Sequence, residues 1–396
     1  MLNVSYLLFL CLAIFAVGDI CAVLTKARLS SVFVALILFL IGFLTDFLPP
    51  DIITKARLGE LGTWASVFII FHMGTTINMG ELIREWKTVV MSCLAMAAAL
   101  VSVLLVIPLI GRQAALVSIP VVNGGIIATQ IMVEGAAQKG MNLVAALGTI
   151  IYAVQKFVGT PPASFFGLKE AELVLAEFRK KKAEGALSHA VKTENKAKSG
   201  RTIYDVLGLD RYYTPFVCLG VTAFFSWAAY WLQAQTGGRV NYSIWALLLG
   251  AVTAQLHVVP EKILDKGKTV GLLNMAVFAA IIPSLASIEV KDLESLAFQT
   301  FVVFAAVLVG IYVFLYLLPT WKFIGSRNLT FGIAMAQLLG FPATYLIANE
   351  VAAAAAQNEE EREAVLKRIM PAYVVAGLAS VTTVSIVVAG FLVNYL

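Results

Sequence analysis

Apolar residues along this chain gather into runs longer than any strand needs. Ten runs hold about twenty residues each, which is what a helix needs to cross a hydrocarbon core of about 30 Å. They lie at 4–25, 30–48, 61–79, 88–110 and 141–165, then at 211–233, 241–259, 269–288, 296–318 and 370–394. Two further apolar stretches, 113–136 and 328–355, are interrupted at their centres by Asn123-Gly124-Gly125 and by Gly340-Phe341-Pro342. Each arm, at about ten to fourteen residues, reaches about 15–21 Å as helix, roughly half the core.

The basic residues decide whether these two stretches cross or turn back. If they cross, the loop 166–210, with nine lysines and arginines between Lys169 and Arg201, falls opposite Lys26, Arg28, Arg84 and Lys87. If they re-enter, that loop joins those four residues and also Lys262, Lys266, Lys268, Lys322, Arg327, Arg362, Lys367 and Arg368. Only Lys55, Arg57, Arg112, Lys139, Arg239 and Lys291 are then left outside. Short loops rich in Lys and Arg stay cytoplasmic, so the pattern predicts two re-entrant hairpins, both termini outside and a cytoplasmic central loop. It divides the chain into a first half (1–165), a basic linker (166–210) and a second half (211–396). Each half has five crossings and one hairpin. Five is odd, so the second half is inverted relative to the first.

The halves echo each other in sequence. Gly125, Ala128 and Thr129 recur as Gly340, Ala343 and Thr344, 215 positions later. "INMGEL" at Ile77–Leu82 has its counterpart in "IEVKDL" at Ile288–Leu293, offset 211. In the linker, "KEAELVLAEFRKKKAEGA" from Lys169 reads as a helix lying at the cytoplasmic lipid surface, and "HAVKTENKAKSGR" as a flexible tether.

Composition agrees: 60% of residues are hydrophobic, 13% are charged, and the mean hydropathy is +0.87. Soluble domains run nearer a quarter charged. The fold class expected is an all-α polytopic membrane protein of the bacterial inner membrane, surrounded by lipid. The formal charge of +5 suggests no nucleic acid, since the basic residues lie between spans where topology explains them. Cys11, Cys21, Cys93 and Cys218 sit inside apolar runs and form no CxxC pair. The first run lacks a basic stretch before it and reads as a retained helix. His72 and His257 are too few for a metal site and read as neutral hydrogen-bonded residues; Asp19 and Asp46 lie near span ends, within reach of interfacial water. No HExxH, GxSxG or paired intramembrane aspartate appears, so no enzyme and no cofactor is expected.

Broken helices at membrane depth leave backbone groups that lipid cannot satisfy, so they face protein or water. Interrupted segments in matching positions of two repeats point to a transporter's binding site. The candidate substrate residues are Asn123, Gly124, Gly125, Thr129 and Gln130 in the first hairpin and Gln337, Gly340, Pro342, Thr344, Tyr345 and Asn349 in the second. Ser118, Glu134 and Glu350 are candidates for a coupling sodium ion or proton; for Ser118 and Gln337 a bond that merely ties hairpin to helix is an equal reading. Glu134 and Glu350 either face the hairpin's aqueous mouth or hold the coupling ion. Lys156 is the only basic residue well inside a span. Three readings of it stay open: it snorkels inward, it stands in for a coupling cation, or it pairs with Glu134 or a substrate carboxylate.

"GFPATYLIANEV" (Gly340–Val351), "NGGIIAT" (Asn123–Thr129) and "VGTPPASF" (Val158–Phe165) resemble, in sequence and position, the two hairpin tips and the end of the fifth span of bacterial sodium–glutamate symporters. The sodium–citrate carriers are structural cousins of that family. The resemblance covers most of the chain in arrangement, with departures at Asn123, Ile126-Ile127 and Phe341-Pro342 and in the final "TTVSIVVAG". It implies an elevator-type secondary transporter and a homodimer. A part comprising 86–165 and 296–396 slides against a scaffold of 1–79 and 211–290. The cargo implied is a small organic anion, glutamate or a related acidic amino acid or dicarboxylate, carried with sodium. A sodium-independent carrier (proton-coupled or exchanging) with Lys156 replacing the cation, and a channel, are the alternatives.

Overall fold

A computed structural model describes residues 3–25, 31–77, 79–183, 209–340 and 343–396. Pro342 and the 184–208 part of the linker lie outside the described residues. The described chain is all α-helical. Its first half runs α1 (Val4–Leu24), α2 (Ser31–Leu44), α3 (Ile52–Lys55), α4 (Leu58–Thr75), α5 (Met79–Arg84), α6 (Trp86–Leu105), α7 (Ile107–Ile110), α8 (Arg112–Val122), α9 (Ile126–Gln138) and α10 (Asn142–Ala183). The second runs α11 (Pro215–Gln235), α12 (Tyr242–Gln255), α13 (Ile263–Lys266), α14 (Val270–Ile281), α15 (Leu293–Ile311), α16 (Arg327–Leu339), α17 (Ala343–Ala355), α18 (Glu359–Gly377) and α19 (Ser385–Leu392).

Among the described residues seven helical stretches are long and apolar enough to cross a membrane, and large side chains such as Phe216, Trp227 and Phe301 stand exposed on the outer surface. The protein is a polytopic helical membrane protein. Three of the ten expected spans form shorter or less apolar helices: α2 and α12 have 14 residues each, and α4 has 18. The reason lies in the chain after α2 and α12, where Asp46 and His257 take left-handed angles (φ 54° and 55°) and stop the helix. That conformation costs about 1–2 kcal/mol for a residue other than glycine.

Three helices and two left-handed backbone positions recur at a fixed spacing. α1, α2 and α3 are matched by α11, α12 and α13 at bounds 211 positions later, with the same lengths. The left-handed residues recur at that spacing too: Asp46 with His257, and Arg57 (φ 62°) with Lys268 (φ 55°).

Close helix crossings hold the core, as expected where lipid removes the hydrophobic drive between helices and small residues let backbones approach. α4 is central, packing on both α12 and α14. At its crossing with α12 a Cβ on Gly74 would sit 2.3 Å from the Leu247 carbonyl oxygen, and one on Gly250 2.2 Å from that of Phe71.

α10 is a single helix of 42 residues, about 63 Å long. Residues 166–183 therefore continue the fifth span and do not lie along the lipid surface. The helix runs through Pro161-Pro162, where the prolines withdraw two N–H donors. Its neighbour α18 ties on just beyond them: the buried Tyr373 hydroxyl donates to the Ala163 carbonyl at 2.9 Å. Further along, Arg368 pairs with Glu170 at 3.3 Å and Arg179 with Glu361 at 2.7 Å. As α10 advances from 163 to 179, α18 retreats from 373 to 361, so the two are antiparallel.

The interrupted stretches flank this pair. Val117 of α8 and Val133 of α9, 16 positions apart, both pack on Gly148, and Gln155 bonds the backbone at Gly124. The chain therefore doubles back at 123–125, with its arms beside the start of α10. In the second stretch Leu338 packs on Gly159, Phe331 on Phe166 (ring centroids 4.3 Å) and Val351 on Gly167. This fold-back lies beside the far part of α10, and both tips come level with residues 155–159.

Candidate functional site

The two tips meet at one side chain. Cβ atoms on Gly125 and on Gly340 would stand 3.1 and 3.0 Å from the same methyl of Val381. Val381 belongs to a π-helical segment, residues 378–384, that joins α18 to α19. Such segments are frequent at functional sites, because the wider turn displaces carbonyls from the helical ladder. Ser385 packs on Gly124 just beyond it, and Thr344 on Gly377 just before. Gly340 has φ 68° and ψ 171°, a conformation essentially reserved for glycine, and this is what turns the second tip.

Around this meeting point polar atoms are buried without hydrogen-bond partners among the described residues. They are Asn123 Oδ1, Gln155 Oε1, both amide atoms of Gln337, and Thr344 Oγ1. Leaving a polar group buried and unpaired costs roughly 1–3 kcal/mol. All lie within about one helical turn of the tips. Asn123 Nδ2 donates to Ile119 O at 2.7 Å, and Gln155 Nε2 to Gly124 O at 3.0 Å, so each amide is held by one atom and offers the other.

The backbone adds directed charge. α9 and α17 begin at the tips and point their N-terminal N–H groups there, which favours an anion. α8 and α16 end there and bring carbonyls, which favour a cation. Neither 123–129 nor 337–340 carries a carboxylate, so a cation bound by these residues would meet neutral oxygens. Among the described residues no three His, Cys, Asp or Glu side chains are grouped to hold a metal.

The structure brings Asn123, Gly124, Gly125, Gln337, Gly340 and Thr344 together. Thr129 and Ser118 are fully buried nearby and bond their own helices, at Gly125 O and Ala114 O. Gln130 points elsewhere: its Nε2 donates to Gly62 O of α4 at 3.3 Å and to Glu134 at 2.7 Å. Glu134 lies close to Tyr230 and Tyr242, not to Lys156. Tyr345 and Glu350 are exposed on α17, and Asn349 bonds Tyr345 O.

Lys156 is half-buried, with no ion-pair partner among the described residues. Its neighbours on the helix face α2 and α14: Phe157 against Phe33, Tyr152 against Phe278, and Thr149 Oγ1 bonded at 2.7 Å to Ser284. His72 Nδ1 accepts from the Leu264 N–H at 3.3 Å, at the start of α13.

Gln155, Gly377, Val381 and Ser385 were not singled out in the sequence. Gln155 carried a signal, an amide in mid-span, but the adjacent Lys156 drew the attention. Val381 carried none, since its role comes only from where the tips meet.

No protein-family model matches the chain, and no curated protein matches it.

Proposed function

We propose that the protein is a secondary active transporter that holds a small organic anion between the tips of two re-entrant hairpins. The observation that carries this reading is the meeting of both tips on Val381, amid buried amides and a hydroxyl without protein partners. Helix N-termini from both arms suit the substrate's negative charge, and neutral oxygens suit a monovalent cation beside it. The substrate class is an acidic amino acid or dicarboxylate, with glutamate leading, and sodium is the coupling ion. The resemblance to sodium–glutamate symporters supports both choices.

The halves are inverted repeats. What supports this is the 211-residue recurrence of α1–α3 and the placing of the two hairpins beside opposite parts of α10. The elevator reading has support in an asymmetry. α9 rests on α4 and α14, while α17 packs chiefly on α10 and α18 and leaves Tyr345 and Glu350 exposed. One hairpin is docked on the scaffold and the other is free, which suits a state open towards the face bearing most of the basic residues. The apolar outer faces of α1 and α11 suit lipid and a homodimer. A sodium-independent carrier is the second reading, favoured by the unpaired Lys156.

Uptake into proteoliposomes tests the proposal. Glutamate should enter saturably, only with an inward sodium gradient, and Gln337→Leu should abolish entry with folding intact. Equal uptake after the gradient collapses would rule out coupling, and unchanged uptake in the variant would move the site elsewhere.

A further inference from the structure

We infer that the protein carries a binding site for an anionic phospholipid headgroup, built where the chain enters α16. A cleft of about 760 Å³ opens there, between the far end of α10, the chain after α15 and the flank of α18. Its charged lining consists of Glu170, Glu177, Arg327 and Arg368. The two carboxylates are already occupied. Glu170 is buried and takes bonds from Ser326 and Arg368, and Glu177 pairs with Lys181. Arg327 is left over: exposed, with no ion pair among the described residues. Its guanidinium lies 4.7 Å from the Trp321 ring and 5.8 Å from that of Tyr316. Cation–π contact with both rings holds the guanidinium in the cleft, and its N–H donors, without an ion-pair partner among the described residues, suit phosphate oxygens.

The surroundings select a lipid over a soluble phosphate. Trp321 and Tyr316 have the amphipathic character of residues at headgroup depth. Next to the cleft, Phe314, Leu317 and Leu318 are exposed, offering an apolar track for an acyl chain. The cleft shares its end of the molecule with Arg179, Arg362 and Lys367, the end that the positive-inside pattern turns to the cytoplasm, where the anionic lipids are. A lipid seated there would touch the foot of the second hairpin, α10 and α18 at once. The site does not depend on which solute is carried.

The test is thermal unfolding of the purified full chain in detergent against three probes: dioctanoyl-phosphatidylglycerol, dioctanoyl-phosphatidylcholine and inorganic phosphate. Phosphatidylglycerol should raise the melting temperature saturably and phosphatidylcholine should not. Arg327→Gln should weaken the phosphatidylglycerol response about fivefold, and Lys322→Gln, nearby but outside the cleft lining, should leave it unchanged. Trp321→Leu, which keeps every charge, should weaken it too, and carries the test if Arg327→Gln does not fold. Equal responses in wild type and both cleft variants, or an equal loss in Lys322→Gln, would overturn the site in favour of diffuse surface charge. Inorganic phosphate matching the lipid in affinity would overturn the lipid assignment.

Discussion

At the scale of single residues the tips contain two kinds of demand, and substitutions separate them. Gly340 is demanded by backbone angles: Gly340→Ala should cost about 1–3 kcal/mol, seen as a lower melting temperature, together with lost uptake. Thr344 is demanded by its hydroxyl alone. Thr344→Val keeps the shape and removes an unpaired buried oxygen, so stability should hold or rise while substrate affinity falls about tenfold, measured by calorimetry. A stability loss in Thr344→Val would mean that the hydroxyl has a structural partner. Outside the membrane, Glu361 is governed by charge. Bonds from Arg179 and from the Gln357 N–H hold its carboxyl down to about 2, against 4.5 when free. A depressed carboxyl stabilises the fold above its free value, and this contribution is lost as pH falls through the folded one. The melting-temperature gap between wild type and Glu361→Gln should therefore be constant above about pH 5 and close between 4.5 and about 2.

At the scale of elements, what the sequence could reveal depended on whether a break in pattern had a local cause. The fold-backs at 123–125 and 340 were legible because Asn and Gly interrupt apolar runs in register with each other. The continuation of α10 to Ala183 was not, because Pro161-Pro162 reads as a stop, and Tyr373, which braces the helix at Ala163, is 210 positions away from that residue. The repeat of α3 as α13 had a faint trace in Pro49, Ile52 and Lys55 recurring as Pro260, Ile263 and Lys266. Its strongest signature is left-handed backbone at Asp46, Arg57, His257 and Lys268, and no residue type announces that. Of the candidate site, the polar residues of the two interrupted stretches could be named from the sequence, and their common neighbour Val381 could not. The proposed entry of the two fold-backs from opposite faces has a direct check. Gln138 and Gln357 end the two fold-backs and are both exposed. Single cysteines there should react with an impermeant reagent from outside and inside respectively; labelling from one face only would sink the inverted arrangement.

Over the whole molecule, two bodies follow from the packing. α4 with α12 and α14 forms one, and α10 with α16–α18 forms the other. The first is fixed by backbone contact at Gly74 and Gly250, so Gly74→Ala should destabilise the protein by about 1–3 kcal/mol or more, read as the denaturation midpoint in detergent. A neutral result would mean that this crossing gives way, and that it is no rigid support.

The second body has a mechanical character. α10 and α18 are two struts cross-braced at 163–373, 170–368 and 179–361, rungs spaced about 10 and 13 Å apart along α10. A lone helix would bend, whereas a braced pair resists bending in the plane of its rungs, here from Ala163 onward. A force applied at Lys182 therefore has a stiff path back along α10 to Ala163, level with the second fold-back. Whatever grips that outer end takes hold of the second fold-back as well, as one grips a tool by its handle.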